Sequence, residues 1–131
     1  LSLHDALPIW IRITLNFLQE RFHKPLFIVE NGIGIDEKLD NGKVYDDERI
    51  EYYQKHITSL KCAVEHDGVD LMGYLAWSPI DFLSSHKEMR KRYGFVYVDR
   101  EEDENYGTLN RIPKDSYYWY QKVIETNGEE L

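Results

Sequence analysis

Lys24-Pro25-Leu26-Phe27-Ile28-Val29-Glu30-Asn31-Gly32 is the stretch on which the fold turns. Leu26 to Val29 is an unbroken apolar run, started by Pro25 and stopped by Asn31-Gly32. With no polar alternation, it reads as a strand buried on both faces, as in a parallel sheet covered by helices. A carboxylate, Glu30, then closes the strand. Burying a charge is costly unless something uses or pairs it. In a β/α barrel the C-terminal ends of the strands carry the active-site face, which makes Glu30 a candidate catalytic group. The plainer reading is a hairpin turn at Asn31-Gly32 with Glu30 solvated beside it.

Upstream of this run, Ile11, Leu15, Leu18 and Phe22 repeat at three or four residues and predict one face of an amphipathic helix. Pro25 disfavours helix before it, so the helix should end near His23. Downstream, Gly32 to Val44 is rich in turn residues and reads as a loop. Asp46-Asp47 offers an N-cap and negative charge for the next helix. That helix shows apolar positions at Ile50, Tyr53, Ile57, Leu60 and Val64 and closes at Gly68. His56 on it is expected to be structural.

Val69 to Trp77 is a second apolar run, so the order is strand, helix, strand, the unit of a parallel sheet. Asp70 is read as an ion-pair or cap residue. A polar loop follows from Ser84 to Arg92. Tyr93 to Val98 is expected to be a short strand or hairpin arm, and Glu101–Glu104 a solvated loop. Pro113 is expected to open the last helix, with Tyr117, Tyr120 and Ile124 on one face, Trp119 and Val123 beside them, and Asn127-Gly128 closing it.

Composition narrows the class. The chain is 42% hydrophobic and 14% aromatic with a formal net charge of −8. Such an acidic balance argues against a nucleic-acid or anionic-membrane partner. No apolar run approaches the roughly 20 residues of a membrane span. The single Cys62 excludes an internal disulfide and a multi-cysteine metal site. Leu1 to Ile9 resembles translated sequencing adapter, and residues 1–9 are set aside as an artefact. There is no initiator Met, and two strong strands each need neighbours on both sides. The expectation is therefore the tail of a longer protein.

Three segments carry a family resemblance: Phe27-Ile28-Val29-Glu30-Asn31-Gly32, Gly73-Tyr74-Leu75-Ala76-Trp77-Ser78-Pro79-Ile80-Asp81, and Lys91-Arg92-Tyr93-Gly94-Phe95-Val96-Tyr97-Val98-Asp99. In order and spacing they resemble glycoside hydrolase family 1. The resemblance implies an α/β fold, the C-terminal part of a (β/α)8 TIM barrel, with Leu26–Glu30 as strand seven and Val69–Trp77 as strand eight. Residues 10–131 would be the C-terminal portion of one barrel domain. It implies retaining hydrolysis with Glu30 as nucleophile. Retention needs a second carboxyl about 5 Å away. The family carries that acid/base in an Asn-Glu-Pro motif, which does not occur in this sequence, so this chain alone is expected to be inactive.

Substrate class follows from the residues after Asp81. Family members acting on plain glucosides usually have Asn-Phe-Glu-Trp there, whereas this chain reads Phe82-Leu83-Ser84-Ser85. A carboxylate at the Ser84 position would repel a phosphate on the sugar's 6-position. At 4 Å two unit charges cost about 1 kcal/mol in water and about 4 near a protein surface. Ser84, Lys91 and Tyr93 resemble the phosphate-binding set of the 6-phospho-β-glycosidases. Val29, where plain β-glucosidases commonly have Thr, points the same way.

Ser85 stands where 6-phospho-β-galactosidases typically carry Trp, and a small residue there resembles the gluco-specific or dual-specific members. Many relatives have a loop one residue longer, so Ser84 and Ser85 can exchange roles. Trp77 is read as a stacking platform for sugar, with a core aromatic as the alternative. The implied substrate is a small phosphorylated β-glucoside, such as phosphorylated cellobiose or an aryl-β-glucoside, hydrolysed in the cytoplasm without metal or cofactor. The alternatives are a β-glucosidase or 6-phospho-β-galactosidase of the same family, or an inactive sugar-binding fragment.

Overall fold

The computed structural model describes residues 3–101 and 107–131 of the chain. Its elements are α1 (Leu3–Phe22), β1 (Leu26–Asn31), β2 (Ile35–Asp36), α2 (Asp47–Glu65), β3 (Leu71–Ala76), β4 (Lys91–Arg92), β5 (Val96–Val98), β6 (Arg111–Pro113) and α3 (Asp115–Glu125). Among the described residues the strands form three two-stranded sheets and no barrel closes. The chain divides into two compact units. One holds the segment up to Asn31 with Tyr52–Leu75, the other Gly32–Glu51 with Ala76–Leu131.

The first unit is built as the apolar pattern dictates. β1 and β3 are hydrogen-bonded neighbours, with α2 between them in the chain. Leu15, Leu60, Ala63 and Val69 form its buried core, and Ile11, Leu26, Ile28, Leu71 and Tyr74 pack against them. The interior therefore unites α1, α2 and one face of the sheet. The opposite face differs from the expectation of strands buried on both sides. Phe27, Val29, Met72 and Leu75 are exposed, Val29 to 65% and Met72 to 69%, because the helices of this unit cover only one side.

At one edge of the unit, Asp67 holds Arg12 through two bonds of 2.6 Å and accepts a third from Asn16 at 2.7 Å. These bonds hold the Asp67 carboxyl well below its usual range, that from Arg12 first. Helix α1 begins at Leu3, eight residues before the position the periodicity suggested, and contains Pro8. Phe22, assigned to the inner stripe, is 54% exposed and takes the Arg21 guanidinium at 5.5 Å from its ring centre.

The second unit is shaped by short pairings and buried charge. β2 pairs antiparallel with β4, placing Ile35 opposite Arg92, so the segment read as a plain loop contains a strand. β5 and β6 pair antiparallel with Val96 opposite Pro113. Pro113 thus ends a strand and does not open α3. The inner side of α3 carries Ser116 and Val123, with Tyr120 stacked on Phe95 at 4.6 Å; Ile124 is exposed. Of Glu101–Glu104, residues 102–104 lie outside the described residues, and Glu101 is exposed. Among the described residues no helix is long and apolar enough to cross a membrane.

Candidate active site

Glu30 is the penultimate residue of β1, with its side chain exposed. Its neighbour Asn31 is fixed on all sides. The Asn31 amide donates to the Tyr52 hydroxyl at 3.1 Å and accepts from the Tyr74 hydroxyl at 2.7 Å. The fully buried Tyr53 donates to the Asn31 carbonyl at 3.3 Å. The strand end is therefore held by three tyrosines from α2 and β3, and the backbone that presents Glu30 is fixed with it. His56 is structural: it is buried against the Tyr52 ring at 3.9 Å, and burial lowers its pKa. Tyr52 is itself pushed up by burial.

The other candidates lie in the second unit, around the segment that follows β3. Trp77, joined to Ser78 by a cis peptide bond, meets the edge of Phe82 at 5.1 Å between ring centres. Phe82 lies 5.9 Å from the Tyr93 ring on the same measure, so both aromatic candidates touch one phenylalanine. Tyr93 lies over Gly34, where an added Cβ would come within 2.6 Å of the ring. Only glycine leaves room for the phenol there.

Ser84 and Lys91 meet through Glu88. Ser84 is buried, and its hydroxyl oxygen accepts the Glu88 amide at 3.1 Å; its own amide donates to the Glu88 carbonyl at 3.1 Å. Ser84 Oγ acts there as an acceptor, which leaves the hydroxyl's capacity to donate unspent in that contact. Lys91 Nζ sits 3.0 Å from Glu88 Oε2, and Arg90 Nη2 is 3.3 Å from Glu88 Oε1. Ser85 is exposed, with its hydroxyl 3.4 Å from His86 Nδ1, a long contact for a hydrogen bond.

Beneath this loop lies a set of buried charges that the sequence reading did not find. Lys114 Nζ binds Asp81 Oδ1 at 2.9 Å and also Glu37 Oε2. Arg49 pairs with Glu37 and with Asp46 Oδ2, the latter at 3.0 Å, and donates to the carbonyls of Ile33, Tyr93 and Arg92. Arg92 reaches Asp81 Oδ2 at 3.2 Å and lies over the Tyr97 ring at 3.9 Å. Arg49 and Lys114 are fully buried. Burial raises the Glu37 carboxyl, against the pull of Arg49 and Lys114. Burial also lowers the Lys114 ammonium, and the charge of Arg49 adds to that.

The effect of these bonds is to fix both ends of the candidate loop. Asp81 before it and Arg92 near its end are bound to each other, and Arg49 grips the main chain at Arg92 and Tyr93. Gly94 completes the closure: its amide donates to Asp81 Oδ1 at 2.8 Å, and a Cβ there would fall 2.2 Å from the Asp81 nitrogen. Asp46, expected to cap α2, turns its carboxylate away to Arg49 and to Ser116, accepting the Ser116 amide at 2.9 Å and so capping α3.

The sequence model for glycosyl hydrolase family 1 matches residues 3–129. The chain belongs to this family. Among curated relatives it is 54% identical over 126 residues to the aryl-phospho-β-D-glucosidase BglH of Bacillus subtilis, covering 95% of this chain and 26% of that protein. It is 52% identical to a phospho-cellobiase of Klebsiella oxytoca, covering 95% and 27%. Among solved structures, a family 1 β-glucosidase from Thermotoga maritima is 36% identical, with a TM-score of 0.83, covering 95% of this chain and 27% of that one. The chain thus spans about a quarter of the length of the family 1 proteins it matches, and its fold is the corresponding part of their α/β barrel.

Proposed function

We propose that the protein carrying this chain hydrolyses 6-phospho-β-D-glucosides with retention of configuration, releasing glucose 6-phosphate and the aglycone. Glu30 is the nucleophile. Its carboxylate oxygen bonds to the anomeric carbon as the bond to the leaving-group oxygen breaks. Water then cleaves the glycosyl ester and regenerates the carboxylate. The second carboxyl, which protonates the leaving group and later activates the water, is assigned to a part of the whole protein outside these 131 residues. Trp77 offers its indole face to the sugar ring. Ser84, Lys91 and Tyr93 hold the 6-phosphoryl group through two hydroxyl donors and an ammonium, a charge-assisted arrangement suited to phosphate. Ser85 leaves space beside the glucose ring.

The observation that supports this reading most directly is the loop from Ser84 to Lys91, which joins a hydroxyl and an ammonium through one residue, Glu88. The names borne by the relatives at more than 50% identity agree with it. Sugar 6-phosphates arise inside cells, so the proposed location is the cytoplasm.

The test compares p-nitrophenyl 6-phospho-β-glucoside with p-nitrophenyl β-glucoside on the protein expressed from the complete gene. The expected result is a strong preference in kcat/KM for the phosphorylated substrate. Lys91→Met should reduce that preference about tenfold or more, as expected for one charged hydrogen bond of roughly 1.5–3 kcal/mol. Equal loss on both substrates would end the phosphate assignment.

A further inference from the structure

Glu88 stands out because a phosphate site would be expected to exclude carboxylates, yet this one is bonded to the candidate cation. Its main chain closes the loop on Ser84 through two bonds of 3.1 Å. Its carboxylate holds Lys91 Nζ at 3.0 Å, with Arg90 on the other oxygen at 3.3 Å. The bonds from Lys91 and then Arg90 hold the Glu88 carboxyl below its usual range, so it is an anion at neutral pH. The Lys91 side chain is 45% exposed, so a ligand can reach its ammonium, whereas Glu88 Oε2 is itself shielded from solvent.

Resting on the reading of Ser84, Lys91 and Tyr93 as a phosphate grip, we infer that Glu88 is an internal competitor for Lys91, a built-in anion that a sugar phosphate must displace. A phosphoryl group brings about −1.5 to −2 charge and three acceptor oxygens, so it prevails over one carboxylate on the same ammonium. The carboxylate remains nearby and repels the bound phosphate. Glu88 thereby lowers affinity for the phosphorylated product as well as the substrate, which favours release after each turnover.

Glu88→Gln tests this in the protein from the complete gene. Glutamine has nearly the same shape and keeps both main-chain bonds to Ser84, so the loop is retained. The inhibition constants of glucose 6-phosphate and of inorganic phosphate should fall by about two- to fivefold, the range for a partly exposed ion pair. The constant for glucose should fall by less. Constants that stay put or rise would overturn the inference and make Glu88 a support for Lys91. An equal fall for glucose would overturn it as well. Lys91→Met separates this from the underlying reading. If that variant raises the glucose 6-phosphate constant while Glu88→Gln does nothing, only the role of Glu88 fails. If Lys91→Met has no effect, the phosphate site fails, and the competitor with it.

Discussion

The two units position their candidate residues by opposite means. In the first, Leu15, Leu60, Ala63 and Val69 make an apolar interior, and Glu30 stands exposed at the end of a strand, outside that packing. In the second, Ser84, Lys91 and Tyr93 sit on a loop held by charges with almost no access to water: Arg49, Lys114, Glu37 and Asp81. A nonpolar core tolerates the loss of a strand-end carboxylate, because nothing in it depends on that charge. A buried ion network does not tolerate the loss of a member, because its partners are left charged and dry. Chemistry and stability should therefore separate in the first unit and be entangled in the second.

Two substitutions in the complete protein can break that contrast. Glu30→Gln should lower turnover by at least about a thousandfold, since it exchanges the proposed nucleophilic carboxylate for an uncharged, poorly nucleophilic amide. Its urea midpoint should stay at the wild-type value. A large loss of stability would show that Glu30 belongs to the packing of its unit. Lys114→Met has the opposite signature. Lys114 is proposed to touch no substrate, yet removing its ammonium leaves Glu37 with Arg49 alone and Asp81 with Arg92 alone and the buried network one positive charge short, and the expected cost is about 3–5 kcal/mol in urea unfolding. A variant as stable as wild type would show that the lattice is dispensable. Any loss of phospho-substrate activity at Lys114 should then follow from disorder of the Asp81–Gly94 segment.

The same contrast explains what could be read from the sequence. Apolar runs and helical periodicity report on burial by hydrophobic contact, so β1, β3 and α2 were legible, as was the fold they imply. The second unit hides from such patterns. β2 and β4 have two residues each, too few to make a run, and pair Ile35 with Arg92, 57 positions apart in the chain. The inner stripe of α3 was misphased because its first buried residue is Ser116, polar but bonded to Asp46. Pro113 looked like a helix start, yet it also suits the end of an edge strand, where its missing N–H costs no ladder bond. One signal was available. Arg49 falls four residues before Tyr53 on the stripe that continues to Ile57 and Leu60, and a cation on an apolar stripe announces a buried partner. Glu37 and Lys114 gave none, because their neighbours in sequence are polar or loop-forming.

A milder test asks whether electrostatics matter at all in the first unit. Asp67 is its clearest charged contact, bound by Arg12 and Asn16 and titrating below its ordinary value for that reason. The sign is fixed by that direction. A carboxyl depressed on folding contributes stability that is fully present above its unfolded pKa of 3.8 and is lost as the pH falls through the folded value. Arg12→Met removes the main cause of the depression. In urea unfolding across pH 2 to 7, the variant should be slightly less stable than wild type at neutral pH. The gap should narrow as the pH falls below 3.8 and close only as the pH passes the depressed folded value, where Asp67 is protonated in both proteins and gains little from Arg12. The contact is solvent-exposed, so the difference should also shrink in high salt, where screening weakens the wild-type ion pair and brings that protein toward the variant. A gap that is undiminished at pH 2 and in salt would mean that Arg12 stabilises α1 through the packing of its aliphatic stem and not through its charge.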